Sequence, residues 1–146
     1  MSALLDVNAL VALTWPTHVH HQAVQRWFKA HAAEGWATCA FTQAALARLS
    51  LQPAVAGRDI SAEEVGDLLV RLTSHERHQA LVIDFDFAAV LQVCSAGIWG
   101  HRQVTDAWLL CAAVHHGVRL VTFDAGVSQL LATPAERERH VLTLAA

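Results

Sequence analysis

Charge is scarce in this chain. Only 16% of its 146 residues are Asp, Glu, Lys or Arg, and ten Lys plus Arg stand against thirteen Asp plus Glu, a formal −3 with histidine neutral. No basic excess advertises a nucleic-acid footprint, so any such activity has to be argued from a site. Proline is rare, with three in all, no low-complexity tract occurs, and 54% of residues are hydrophobic. That excludes a disordered chain and predicts a well-buried core. The three cysteines, Cys39, Cys94 and Cys111, are odd in number and far apart. They form neither a CxxC pair nor a disulfide framework and read as small apolar core residues in a reducing, cytoplasmic compartment. No apolar run reaches about 18 residues, and the apolar N-terminus lacks a basic flank and is interrupted by Asp6 and Asn8, so neither a signal peptide nor a membrane span is expected. GxSxG, GxGxxG and P-loop motifs are also missing, which leaves serine hydrolysis, dinucleotide binding and NTP binding without a warrant.

What is present is an alternation of short β-like runs with helical ones. Ala3 to Asp6 is a brief apolar run, continued by helix formers from Val7 to Leu13 and stopped at Pro16. Val19, Ala23, Val24, Trp27 and Phe28 recur at three and four, predicting an amphipathic helix within His18 to Ala33. Trp36 to Cys39 reads as a buried strand, Thr42 as the cap of a helix through Leu49, and 52–59 as a loop. Ser61 with Glu64 forms a capping box before a further helix. Leu81 to Ile83 reads as a third strand, Phe87 to Cys94 as a helix and Ser95 to Gln103 as a loop. Thr105 caps a helix apolar on every face, Arg119 to Thr122 is a fourth strand, and Val141 to Leu144 supplies a fifth. The expectation is one α/β domain, 1–146, with a parallel sheet covered on both faces. In such sheets ligands bind beyond the carboxyl ends of the strands.

Three aspartates fall where that rule points. Asp6 ends the first strand, Asp124 follows the fourth, and Asp106 opens the buried helix. Singly, each has a plain structural reading: Asp6 as a helix cap, Asp106 as a first-turn charge, Asp124 as a turn residue before Gly126. Together, in a chain so poor in charge, they crowd one end of a sheet beside its most apolar segments. Carboxylates so placed repel one another unless a cation screens them, and Mg²⁺ or Mn²⁺ suits an all-oxygen site. A bound divalent ion makes water a better nucleophile and stabilises charge on a phosphate oxygen. The constellation therefore points to metal-assisted phosphodiester hydrolysis.

LLDVNAL, FTQAALARLS, GHRQVTDAWLLCAA and RLVTFDAG occur in this order along nearly the whole chain. These segments resemble PIN-domain ribonucleases, in particular the VapC-type toxins of bacterial toxin–antitoxin pairs. GHRQVTDAWLL followed by TFDAG is the specific part of the likeness; DVN alone is weak. The resemblance implies a sheet of about five parallel strands, Mg²⁺ or Mn²⁺ held by Asp6, Asp106 and Asp124, and endonucleolytic cleavage of RNA. It also implies a cognate antitoxin and commonly a homodimer. Asn8 matches a position that orients the first aspartate, and Thr122 also fits the pattern. One departure is Gln43, standing where the family usually has a catalytic glutamate. Gln keeps a carbonyl oxygen but brings no charge, which weakens the case for a second ion more than for one. Arg48, on the same helix, either meets an RNA phosphate or pairs with an acid.

Of the ten histidines, His18, His20 and His21 open one helix and read as surface groups in preference to a zinc site. His115 and His116 suit a helix C-terminus. His101 lies in the loop leading to Asp106, where it either faces the pocket, together with Arg102 and Gln103, or only supports the loop. Protonating all ten would carry the formal charge from −3 to +7, so RNA affinity is expected to rise on mild acidification. Trp27, Trp36 and Trp108 read as structural, whereas Trp15 and Trp99 lie near loops where a base could stack. Two rival readings stand beside the nuclease. One is a catalytically inactive PIN-fold module binding RNA or protein, motivated by Gln43. The other is a phosphatase-like hydrolase, disfavoured because the first strand ends in DVN without a second aspartate.

Overall fold

The computed structural model describes residues 1–145. Five strands form one parallel sheet: β1 (Ala3–Leu5), β2 (Trp36–Cys39), β3 (His78–Leu81), β4 (Arg119–Thr122) and β5 (Val141–Thr143). Their order across the sheet is β3-β2-β1-β4-β5. The chain thus builds outward from β1 on one side and returns to β1's other edge with β4. This reversal makes the carboxyl ends of β1 and β4 the switch point, where a crevice opens.

Side chains of the short strands alternate between two cores. Leu4, Ala37, Cys39 and Leu120 face one, with α6 (Phe87–Val93) and α7 (Val104–His116). Ala3, Leu5, Trp36 and Val121 face the other, with α1 (Val7–Thr14), α2 (His21–His31) and α3 (Ala40–Ser50). Helix α7 has six consecutive or near-consecutive buried residues, from Ala107 to Ala113. Its apolar surface on every side is explained by packing under the sheet against α6 and β4. Gly117, at φ 65°, takes the left-handed conformation that ends α7. All three cysteines are free and buried, and burial pushes the Cys94 and Cys111 thiols up to about 11. Among the described residues no helix is long and apolar enough to cross a membrane.

Several boundaries differ from the sequence reading. The third strand is His78–Leu81 and precedes the apolar Leu81–Ile83 run, because its register is set by pairing with β2, from Trp36↔His78 to Cys39↔Leu81. As an edge strand it needs few apolar residues; Gln79 and Ala80 are exposed. Thr42 is not the cap of α3 but its third residue, where its hydroxyl accepts from the Cys39 N–H at 3.0 Å. Thr105 likewise sits inside the first turn of α7, since a 3₁₀ turn at His101–Gln103 leads straight into Val104. Within the expected 52–59 loop lies a one-turn helix, α4 (Pro53–Ala56). The Ser61–Glu64 box caps α5 (Ala62–Thr73) as expected. An unanticipated helix, α8 (Pro134–His140), starts from a Thr133–Glu136 capping box with Pro at its first position.

Candidate functional site

Asp6 follows β1 directly and caps α1. Its backbone N–H still donates to Val121 O across the sheet at 2.9 Å, while its Oδ1 accepts from Val7 N–H at 2.7 Å. The side chain is thereby fixed at the switch point and buried, with 3% of the residue exposed. Thr122, at the end of β4, holds the rest of the arrangement together. Its fully buried hydroxyl donates to Asp6 Oδ2 at 2.6 Å and accepts from Asn8 Nδ2 at 3.1 Å and Asp124 N–H at 3.0 Å. One donor and two acceptor sites are all a threonine hydroxyl has, so it is saturated. Asn8 completes the frame by accepting the Phe123 N–H at 3.1 Å. Asp124 is exposed, and its Oδ1 is held by the Gly126 N–H at 2.8 Å. A Cβ on Gly126 would stand 3.1 Å from that oxygen, so a larger residue there presses on the carboxylate.

Asp106, in the first turn of α7, is half-buried and has no hydrogen-bond partner among the described residues. Burial first, then the charges of Asp6 and Asp124, push its carboxyl up to about 6. Burial also raises Asp6; the Thr122 and Val7 hydrogen bonds oppose that rise, and Asp124 adds to it. The three carboxylates therefore feel one another, although they come from the chain's beginning, its third quarter and its end. Among the described residues no three His, Cys, Asp or Glu side chains close into a metal cage. An all-oxygen donor set with a buried, oriented Asp6 and a partnerless Asp106 nonetheless fits Mg²⁺ or Mn²⁺. Such ions use one or two carboxylates and keep much of their water.

A cleft of about 670 Å³ opens over this point. Asp6, Asn8, Thr105 and Asp106 line it together with Arg48, Thr17 and His18, and Val11, Ala45, Leu49, Ala54 and Val55 provide apolar wall. Arg48 is exposed and forms no ion pair among the described residues, so the alternative of pairing with an acid is not what the structure shows. Gln43 is not among the residues lining the cleft. Its Nε2 donates to Thr38 Oγ1 at 2.9 Å, and Thr38 in turn meets His78 Nε2 at 2.8 Å. His101 is exposed and lies outside the cleft lining, as do Arg102 and Gln103. Gln103 accepts the Trp99 N–H at 2.7 Å, supporting the loop. Of the tryptophans near loops, Trp15 is tied to Ser50 through its indole N–H, while Trp99 is 85% exposed.

Thr17 and His18 are polar lining residues that sequence patterning does not identify. Pro16 ends α1, and a tight turn with His18 N–H on Trp15 O brings the chain back over the cleft. His20 then stacks on Phe123, ring centroids 4.5 Å apart, pinning the start of α2 beside the carboxylate frame. Three imidazoles within His18–His21 signal a cluster, but the letters do not tell which of them faces the cleft.

Comparison with known proteins settles the family. A profile described as PIN domain matches residues 3–130, a span containing all three aspartates. The chain belongs to the PIN-domain family. Its relatives include Ribonuclease VapC38 of Mycobacterium tuberculosis, 44% identical over 97% of this chain and 99% of that one. Ribonuclease VapC44 of the same species is 37% identical over 99% of this chain and 100% of its own length. Among solved structures, VapBC2 from Rickettsia felis bound to a promoter DNA fragment superposes with a TM-score of 0.65, at 14% identity, over 99% of this chain and 100% of that one. At that identity the likeness speaks for the PIN fold alone, and this PIN domain has the parallel five-stranded sheet expected from sequence.

Proposed function

We propose that this PIN domain is a metal-dependent endoribonuclease and the toxin of a cytoplasmic toxin–antitoxin pair. The observation that carries the reading is Asp106: a half-buried carboxylate without a hydrogen bond, sharing the cleft with Asp6 and raised to about 6 by burial and by the charges of Asp6 and of Asp124, which lies outside the cleft lining. A fold does not keep an uncompensated charge there for stability, and such groups mark functional sites. Asp6, Asp106 and Asp124 would hold Mg²⁺ or Mn²⁺. The chemistry that ion supplies when bound is polarisation of a phosphate oxygen and a more acidic water. The chain's own residues do the rest. Thr122 and the Val7 N–H aim the two Asp6 oxygens, Asn8 fixes the β4 terminus, and Arg48 meets an RNA phosphate from the cleft's rim. Relatives named as ribonucleases support RNA as the substrate, the VapBC2 neighbour supports an antitoxin as partner, and the resemblance to VapC-type toxins suggests a homodimer.

The pH response proposed from sequence is smaller than ten titrating histidines imply. Burial holds His18, His78 and His140 below the ordinary histidine range, so fewer imidazoles gain charge on mild acidification.

The test is cleavage of total RNA by purified protein with Mn²⁺, Mg²⁺ or EDTA, beside Asp106→Asn. Discrete fragments that need metal and vanish in the variant support the nuclease. Intact RNA with folded, metal-supplied wild type favours the second reading, an inactive RNA- or protein-binding module. That reading draws on Gln43, whose amide is engaged by Thr38.

A further inference from the structure

The cleft contains an imidazole that the carboxylate chemistry leaves unused. His18 is held in a tight turn, where its Nδ1 accepts the His20 backbone N–H at 3.1 Å. A nitrogen that accepts a hydrogen bond carries no proton, so the imidazole is the tautomer with its proton on Nε2. Protonating Nδ1 would set two donors against each other, which keeps the ring neutral; burial and the adjacent His20 and His21 act in the same direction. His18 is therefore a single, oriented N–H donor without charge. Nε2 has no partner among the described residues, and the ring lines the same cleft as Asp6 and Asp106. The turn is braced from behind, since His18 and His20 rings lie 5.6 Å apart and His20 stacks on Phe123.

A neutral donor adds no charge that would draw in every phosphate alike; what it offers is direction, which is what recognition of an acceptor on a nucleobase edge requires. Its surroundings agree with that. Val11, Leu49 and Val55 give the cleft apolar wall for a base face, Thr17 adds a hydroxyl, and Arg48 supplies the positive charge a neighbouring phosphate needs. The volume is in the range of small-ligand sites and accommodates a nucleotide. We infer that His18, with Thr17 and the apolar wall, forms a base-reading subsite that selects which nucleotide flanks the scissile phosphate, Nε2–H donating to a base carbonyl or ring nitrogen. This rests on the endoribonuclease reading of the same cleft.

Two substitutions separate reading a base from supporting the turn. Asn at position 18 places an oxygen near the Nδ1 position and can still accept the His20 N–H, as Asx turns do, but offers no donor where Nε2 lies. Gln reaches the Nε2 position with an amide N–H and gives up the turn contact. Wild type, His18→Asn, His18→Gln and His18→Ala are each given a single-stranded RNA pool randomised around the cut, with Mn²⁺ and an Asp106→Asn control, and cleavage sites are sequenced. Expected are about fivefold flattening of base preference at one flanking position in Asn and Ala, and retention of that preference in Gln, in line with loss of one hydrogen bond. An unchanged profile in Asn and Ala overturns the subsite. So does retention in Asn with loss in Gln, which would make His18 only a turn support. If wild type cuts nothing, the nuclease reading falls by itself. The subsite is then decided by the same pattern among pool sequences enriched by binding in EDTA.

Discussion

Replacing Asp106 by Asn in metal-free protein removes the charge that the fold compensates least. The unfolded carboxyl titrates at the ordinary 3.8, the folded one at about 6. Between those values the native state holds more protons than the unfolded state, so stability falls as pH rises through the window and stays low above it. The displacement corresponds to about 3 kcal/mol for a fully shielded group. Asp106 is only half-buried, and water screening reduces the figure to about 1–2 kcal/mol. Asn is nearly isosteric and uncharged, and its presence also relieves Asp6 of one repelling neighbour. The variant should therefore be more stable than wild type by about 1–2 kcal/mol at pH 7.5 in EDTA, while losing RNA cleavage.

The signature is the pH dependence of that gap. Urea unfolding at pH 7.5 and at pH 4.5, both in EDTA, should show the full difference at the higher pH and most of it gone at the lower. Saturating Mn²⁺ supplies a third arm. Wild type at 100 times its dissociation constant gains about 2.7 kcal/mol from binding, and the variant gains less, so the order of stabilities closes or reverses. An Asp106→Asn protein that is no more stable than wild type at pH 7.5 in EDTA refutes the reasoning. A gap equal at both pH values does so as well, because it would come from packing and not from ionisation.

Thr122→Val should cost about 2–4 kcal/mol in urea unfolding, since it strips a donor from Asp6 and leaves Asn8 Nδ2 and the Asp124 N–H without an acceptor, whereas Thr122→Ser should recover most of that loss. Gln43→Glu reverses the demand on Thr38, whose hydroxyl must now donate to a carboxylate where it accepted from an amide. Its added charge should tighten Mn²⁺ about fivefold by calorimetry while lowering the metal-free melting temperature; an unchanged dissociation constant would show that position 43 does not sense the ion. Arg48→Ala should weaken RNA binding at every sequence and reduce the slope of log affinity against log salt by about 1; a change confined to particular sequences would make Arg48 a base reader.

The parts of this molecule legible from sequence are those set by local rules. A carboxylate directly after a short apolar run marks a strand end, and with strands alternating with helices the parallel-sheet rule places Asp6 and Asp124 at the carboxyl end of one sheet. Asp106 follows from its place at the opening of an all-apolar helix. What could not be read locally is direction. Thr122 fits the sequence pattern, but its hydroxyl matters because partners 114 and 116 positions away converge on it, and that depends on β1 and β4 being neighbours. Gln43 stands at the position where the family usually has an acid, but only the pairing of β3 with β2, which brings His78 to Thr38, shows which partner its amide takes. His18 is hidden for a third reason: three imidazoles in four positions are equivalent as letters and become distinct only through the turn. One is capped by a backbone N–H beside the cleft, one is stacked on Phe123, and one is bonded to Ala12 O at 2.7 Å. Strand ends place the charge of the site, whereas tertiary hydrogen bonds decide which neutral groups face it. Sequence is accordingly a better guide here to the chemistry of cleavage than to the choice of what is cleaved.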